Sequence, residues 1–333
     1  MALLIRLLRP TRHKVSLGEF NLIEKYFTAN DSGEGIALGI GDDCALINIP
    51  LNTSLAVTTD TLNEGIHFFK DTDPYLLGYK SLLVNVSDLA AMGAQPYCFT
   101  LSITLPDNSE EFLDGFSKGL FTLANKLKMP LVGGNTSKGP LSVTISAYGL
   151  IRDGKCLRRD RAKEGDYIYV TGTLGLPALA VDLGYKKLSL AEDAFDRCYK
   201  KSMLIEDRCS FAMALTEVSV CALDISDGLI GDLKHILERS GKGAIIEAEL
   251  LPKPYEFALY NLDEDYTDRL CLSGGGDYEL LFTVPADKES RLFELAESHQ
   301  VQVTRVGVIK KCGLSITKRG RILDYSDNSF KHF

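Results

Sequence analysis

The sequence predicts a two-domain α/β protein, and three observations carry that reading. A chain of 333 residues exceeds the usual size of a single core. Helical and strand patterns alternate along most of its length. Turns rich in glycine and aspartate recur after strand-like runs in both halves, where α/β proteins usually place their chemistry. The composition, 45% hydrophobic and 25% charged, is that of an ordinary soluble globular protein.

Taken in order, the chain starts with MALLIRLLRPTRHK, in which Arg6 and Arg9 interrupt the apolar residues. This basic stretch, within 1–17, reads as a disordered extension or the product of an upstream start codon. Apolar residues at 20, 22, 23, 26 and 27 make Glu19 to Phe27 a short amphipathic helix. The turn GIGDDCAL follows, and then Leu55 to Asp60 reads as a strand ending on a carboxylate. Pro74 opens a helix running to Met92, with Gly93 as its stop. Phe99 to Leu105 is a strand, and Asn108 with Glu111 resembles a capping box for a helix reaching Lys128. Leu131 to Gly139 reads either as a glycine loop whose backbone N–H groups can approach phosphate oxygens or as a plain helix-to-strand turn, before the strand Leu141 to Leu150.

Lys155 to Asp166 is charged and loop-like and marks the domain boundary, giving domains at 18–153 and 154–333. The second half opens with the strand Tyr167 to Thr171. A helix at Ile205 to Val218 and a buried strand at Cys221 to Ile225 lead into DISDGL and the helix Leu229 to Ser240. The glycine-rich turn SGGGDYELLF, a helix at Ser290 to His299, the strand Thr304 to Ile309 and a hairpin-like ending complete the chain.

Several function classes are excluded early. A net charge of −8 and a pI near 5.3 argue against a nucleic-acid or anionic-membrane surface. No apolar run approaches the roughly 18 residues that span a bilayer. Eight scattered cysteines without a CxxC pair suit a reducing cytoplasm rather than a disulfide framework or zinc site.

The remaining signal is oxygen chemistry. Asp42 and Asp43 sit side by side between Gly41 and an apolar run, where hard divalent cations find ligands. Alone, that stretch is more often an acidic β-turn. Thr58, Thr59 and Asp60 bring hydroxyl and carboxylate oxygens together. Ser81, Asn85 and Asp88 share one helix face among apolar neighbours, so Asp88 reads as a ligand pointing inward. Asp224, Ser226 and Asp227 precede a helix, where one aspartate is enough for a cap. Asp277 and Glu279 form a further acidic turn. Zinc favours nitrogen and sulfur ligands, so an all-oxygen set points to magnesium. Magnesium on scattered carboxylates typically serves a nucleotide triphosphate. The residues alone therefore indicate a magnesium-dependent phosphotransferase without a covalent nucleophile; no GxSxG and no Walker loop occurs.

The motifs GIGDDCAL, TTDTLNEGIHF, VNVSDLAAMGAQP, VGGNTSKGPL, DISDGL and SGGGDYELLF occur in this order. As a set they resemble the thiamine-monophosphate kinase family, of the superfamily of aminoimidazole ribonucleotide synthetase and selenophosphate synthetase. The resemblance runs from about Gly18 to the C-terminus. It implies ATP-dependent phosphorylation of thiamine monophosphate to thiamine diphosphate by direct in-line transfer. It also implies a homodimer whose N-terminal sheets pair into a barrel-like centre. Metal positions carry over onto Asp43, Thr58, Thr59, Asp60, Asp88, Asp224 and Asp227, and ATP contacts onto Gly134, Arg159 and Ser226. His67 matches a substrate contact and Phe330 an aromatic residue that packs on the thiamine. Asn135 stands where the family has a metal-binding aspartate beside ATP, and Gly276 where it has an acidic residue contacting substrate. Those departures keep open a second reading, a relative that binds nucleotide or thiamine phosphate without catalysis. A superfamily member acting on an amide or carbonyl oxygen is the weaker third.

Overall fold

A computed structural model describes residues 19–28 and 30–323. The basic extension and Phe330 lie outside the described residues. The first half is built around α2, Pro74–Ala91. Asp73 caps it, accepting the Tyr75 N–H at 2.8 Å, and Pro74 sits in the first turn where its missing N–H costs nothing. Nearly every side of α2 is buried, as expected of a helix apolar all round.

One flank of α2 packs on a sheet of order β3-β6-β4-β5. Its strands are β3 (Thr53–Asn63), β4 (Gln95–Leu105), β5 (Leu131–Lys138) and β6 (Ser142–Arg152). Pairing is antiparallel except between β4 and β5, which run parallel and are joined through α3, Glu110–Leu127. Ahead of these lie α1 (Glu19–Phe27) and the short pair β1 (Ile36–Leu38) and β2 (Leu46–Ile47).

The second half is a seven-stranded mixed sheet, ordered β13-β12-β9-β11-β7-β10-β8. It comprises β7 (Tyr167–Thr171), β8 (Cys221–Asp224), β9 (Gly243–Glu247), β10 (Leu280–Val284), β11 (Val303–Lys310), β12 (Leu314–Lys318) and β13 (Arg321–Ile322). Its helices are α4 (Leu176–Gly184), α5 (Ala194–Met203), α6 (Cys209–Leu215), α7 (Leu229–Ser240), α8 (Tyr255–Leu259), α9 (Glu264–Ser273) and α10 (Glu289–Ser298). Successive side chains of a strand point to opposite faces, and here both faces are covered. Tyr169, Leu280 and Phe282 join the apolar cluster that contains α2, α3, α6 and α10. Ile168, Val170 and Leu281 join the cluster formed with α4, α7 and α9. The first cluster therefore runs without a break from the four-stranded sheet into the seven-stranded one.

Four expectations are corrected. VGGNTSKG is not a turn but the body of β5. β5 lies so close to β4 that a Cβ on Gly134 would sit 1.8 Å from the Leu101 carbonyl oxygen, so glycine serves packing there. The strand carrying Asp60 extends to Asn63, which puts Asp60 mid-strand rather than at a strand end. The cap of α3 is Ser109, whose hydroxyl accepts the Phe112 N–H at 3.3 Å, one residue past Asn108. Finally, the helix expected from Ile205 to Val218 is only α6, because Asp207 and Arg208 are drawn into side-chain contacts at its start.

Candidate active site

An open cleft of ≈ 1420 Å³ lies between the two sheets, with α2 as its floor. Three aspartates gather along that helix. Asp60 on β3 donates its backbone N–H to Asn85 Oδ1 at 3.1 Å, and Asn85 is wholly buried. Asp88 accepts the Thr58 hydroxyl. Asp224, at the end of β8, accepts the Ser87 hydroxyl at 2.8 Å. Neighbouring positions on one helix thus tie β3 on one side to β8 on the other, and each tie touches a predicted ligand.

The electrostatics agree with that placement. Burial and then the Asp88 carboxylate push Asp60 up to about 6. Burial also raises Asp88, against the Thr58 hydrogen bond and the Arg159 charge, which favour its ionised form. Asp224 is raised by burial first and by Asp88 second. Asp88 is crowded by Asp60 and Asp224 while the Arg159 charge offsets the repulsion only in part, and oxygen donors of this kind suit a hard cation. Among the described residues, no three His, Cys, Asp or Glu side chains close into a ready-made metal cluster. The aspartates act as adjoining pairs, which suits magnesium, an ion that keeps several waters and takes one or two carboxylates plus phosphate oxygens.

The period of β3 sorts its residues. Thr58 and Asp60 face α2, whereas the Thr59 hydroxyl lies on the other face, 2.8 Å from Ser146 on β6. Asp43 is exposed between β1 and β2, and its N–H is taken by Asp42 Oδ1 at 2.9 Å. No hydrogen bond or ion pair among the described residues joins Asp43 to the α2 aspartates. Asn135 is exposed on β5, in register with Ser102. Arg159 is exposed, its carbonyl accepting the Ser240 hydroxyl at 2.9 Å, and its charge acts on both Asp88 and Asp224.

Opposite α2, the loop after β8 places Ser226 and Asp227 in the cleft wall. The glycine turn 274–276 packs on that loop: Gly276 N–H meets the Ser226 carbonyl at 2.7 Å, and Tyr278 N–H meets Ile225 at 2.7 Å. Gly276 has φ +87°, a conformation that L side chains rarely adopt. At the other end, His67 lines the cleft, and its Nδ1 accepts the Asn63 N–H at 3.0 Å. That bond sets the neutral tautomer with the proton on Nε2.

Two acidic residues of the sequence pattern turn away from the cleft. Asp277 Oδ1 accepts the Gly175 N–H at 2.9 Å, at the start of α4. Glu279 holds Arg208 through two bonds of 2.7 Å and accepts the Thr171 hydroxyl. Both brace the interior. A cleft residue that sequence reasoning passed over is Lys80, buried on α2 with Nζ 3.0 Å from the Ser202 carbonyl and 3.4 Å from that of Gly276. Its Nζ lies 4.1 Å from the Tyr278 ring centre, and burial lowers it to about 7. The available signal was a lone lysine in the apolar run LLGYKSLLV.

Known proteins share this architecture and this chain's sequence. Residues 41–151 match the AIR synthase related protein, N-terminal domain, and 163–318 the corresponding C-terminal domain. Over 324 residues the chain is 41% identical to thiamine-monophosphate kinase of Salmonella typhimurium, covering 96% of this chain and 99% of that protein. A crystal structure of thiamine-monophosphate kinase from Stenotrophomonas maltophilia K279a superposes with TM-score 0.80 at 39% identity, covering 87% of this chain and 93% of that one. AaThiL complexed with AMPPCP and TMP superposes with TM-score 0.73 at 30% identity, covering 95% and 97% respectively.

Proposed function

Because this chain belongs to the AIR synthase related family and, within it, to the thiamine-monophosphate kinases, we propose that it phosphorylates thiamine monophosphate with ATP, giving thiamine diphosphate. The observation that carries the reading is the row of Asp60, Asp88 and Asp224 along α2, each fixed by a neighbour on that helix or on β3. Phosphoryl transfer needs mainly alignment and charge neutralisation, and magnesium, when bound, supplies that neutralisation at the phosphate oxygens. Asp60, Asp88, Asp224 and Asp227 are the side chains we assign to hold it, with Thr58 and Ser87 orienting two of them. Asp43, Thr59 and Asn135 would join from exposed positions; of these, the Thr59 hydroxyl lies on the far face of β3.

The nucleotide is assigned to Gly134, Asn135, Arg159 and Ser226. The Arg159 charge acts on the aspartate row, which supports the assignment of its guanidinium to phosphate. Thiamine monophosphate is assigned to the part of the cleft lined by His67 and Gly276; Phe330, assigned to the same substrate, lies outside the described residues. Direct in-line transfer leaves no side chain as nucleophile; the acceptor is the substrate's own phosphate oxygen.

The same reading divides the chain at 153/154, between β6 and β7, and pairs two copies through the outer face of β3 and β6. Leu55 and Val57 on that face are 41% and 59% exposed, which supports closure of the sheets into a barrel-like centre. A cytoplasmic setting is supported by the free cysteines, Cys98 and Cys221 among them. No helix among the described residues is long and apolar enough to cross a membrane.

The test is incubation of the purified protein with ATP, magnesium and thiamine monophosphate, followed by chromatography for thiamine diphosphate. Wild type should form product, and Asp88→Ala should lose nearly all of it. Asn135 and Gly276, each standing where the family pattern has an acidic residue, favour a second reading, binding without turnover. Tight nucleotide binding with no product would establish that one instead.

A further inference from the structure

We propose that Asp232 is a positioning residue for the phosphate- and metal-binding side chains of the loop between β8 and α7, an inference that rests on the function proposed above. The first N–H groups of a helix have no partner within the helix and commonly face an anion. Just ahead of α7, the N–H groups of the cap residue Gly228 and of Ser226 and Asp227 before it face an internal one. A single oxygen, Asp232 Oδ2, accepts the N–H groups of Ser226, Asp227 and Gly228 at 3.0, 3.0 and 3.2 Å. Asp232 is 4% exposed, and its own N–H returns to the Gly228 carbonyl at 3.0 Å.

The carbonyls of this loop are engaged as well. Ser226 O takes the Gly276 N–H and Ile225 O takes the Tyr278 N–H, each at 2.7 Å. With the loop's N–H groups and these carbonyls committed inward, what Ser226 and Asp227 present to the cleft is the hydroxyl and the carboxylate. The loop that leads into α7 is therefore held from within by a carboxylate of the helix's own first turn. Ligand contact passes to the two side chains, whose direction Asp232 sets.

The experiment compares wild type, Asp232→Asn and Asp232→Ala by calorimetry with magnesium and AMPPCP, and separately with inorganic phosphate. Losing three charge-assisted bonds and the preorganisation they give should weaken magnesium–AMPPCP binding about tenfold in Asp232→Ala. The isosteric asparagine keeps an acceptor without the charge, so its loss should be intermediate, about threefold. Asp232→Ala should also gain millimolar phosphate binding that wild type lacks at this loop. Unchanged magnesium–AMPPCP affinity in folded Asp232→Ala, or in Asp232→Asn should the alanine variant not fold, overturns the proposal. So does a lower melting temperature in both variants at wild-type affinity, the mark of a purely structural role. If wild type itself binds no nucleotide, the function proposed above fails, and the phosphate comparison alone decides Asp232: gain in the alanine variant supports it, no gain overturns it.

Discussion

Replacing Asp60 with asparagine is expected to stabilise the metal-free protein at neutral pH while abolishing transfer. The carboxyl stands at about 6 against an ordinary 3.8, through burial and the neighbouring Asp88. A rise of about two units corresponds to about 3 kcal/mol of penalty on the ionised form. Part of the carboxyl is open to water, and screening brings the figure to about 1–2 kcal/mol. The folded-state value is raised, so the unfolded chain gives up this proton at lower pH than the native protein does. The penalty is thus nearly absent at about pH 4, grows between about 4 and 6, and is constant above. Asparagine never ionises and escapes it, and the 3.1 Å bond from the residue 60 N–H to Asn85 is untouched because it is made by backbone. Urea denaturation with EDTA at pH 4 and pH 7.5 reads the effect directly. The two proteins should nearly coincide at pH 4, and Asp60→Asn should be about 1–2 kcal/mol more stable at pH 7.5. Saturating magnesium should erase the difference by stabilising wild type alone. An Asp60→Asn protein no more stable than wild type at pH 7.5 without metal refutes the account of a strained acid row.

Three further outcomes follow from the geometry. Gly134→Ala places a Cβ 1.8 Å from the Leu101 carbonyl oxygen, so β5 must move; thermal unfolding should show a loss of about 1–3 kcal/mol, and an unchanged melting temperature would deny that close approach. Ser87→Ala removes a 2.8 Å bond to buried Asp224; because that bond favours the carboxylate, its loss should raise the magnesium concentration for half-maximal rate, and an unmoved midpoint would count against Asp224 as a ligand. Asn135→Asp adds a charge at a position we assign to the metal set, so its magnesium midpoint should fall below that of wild type; equal midpoints would withdraw Asn135 from that set.

The inward face of α2 was legible from spacing alone. Asn85 and Asp88 sit one turn apart beside Leu83, Val84 and Leu89, and a polar pair amid apolar neighbours must find partners inside. The DISDGL loop was legible for a similar reason, since two aspartates exceed what a cap requires. The glycines of β5 misled because glycine in a sequence looks like a turn, whereas these make room for the neighbouring strand. Asp277 and Glu279 misled because an acid near a glycine turn carries no sign of which way it faces; Gly175 and Arg208, more than 70 positions away in sequence, decide it. Lys80 went unread because a lysine in a helix is usually solvated; the carbonyls of Ser202 and Gly276, the Tyr278 ring and the Asp277 charge, all brought in by the second half of the chain, account for its burial.

The unbroken apolar cluster has a mechanical consequence. Leu82, Leu83 and Val86 of α2, beneath the cleft, share one packed interior with Phe211 of α6 and Leu280 and Phe282 of β10. Close-packed interiors resist compression and transmit strain, so the two walls cannot swing about a hinge without tearing that interior open. The width of the cleft is then a fixed dimension of the molecule, and any enclosure of substrate falls to surface segments such as the loop between β1 and β2. Severing the chain between β6 and β7 would leave the first fragment without the side chains of Phe211, Leu280 and Phe282 that complete its core, and would expose those side chains on the second.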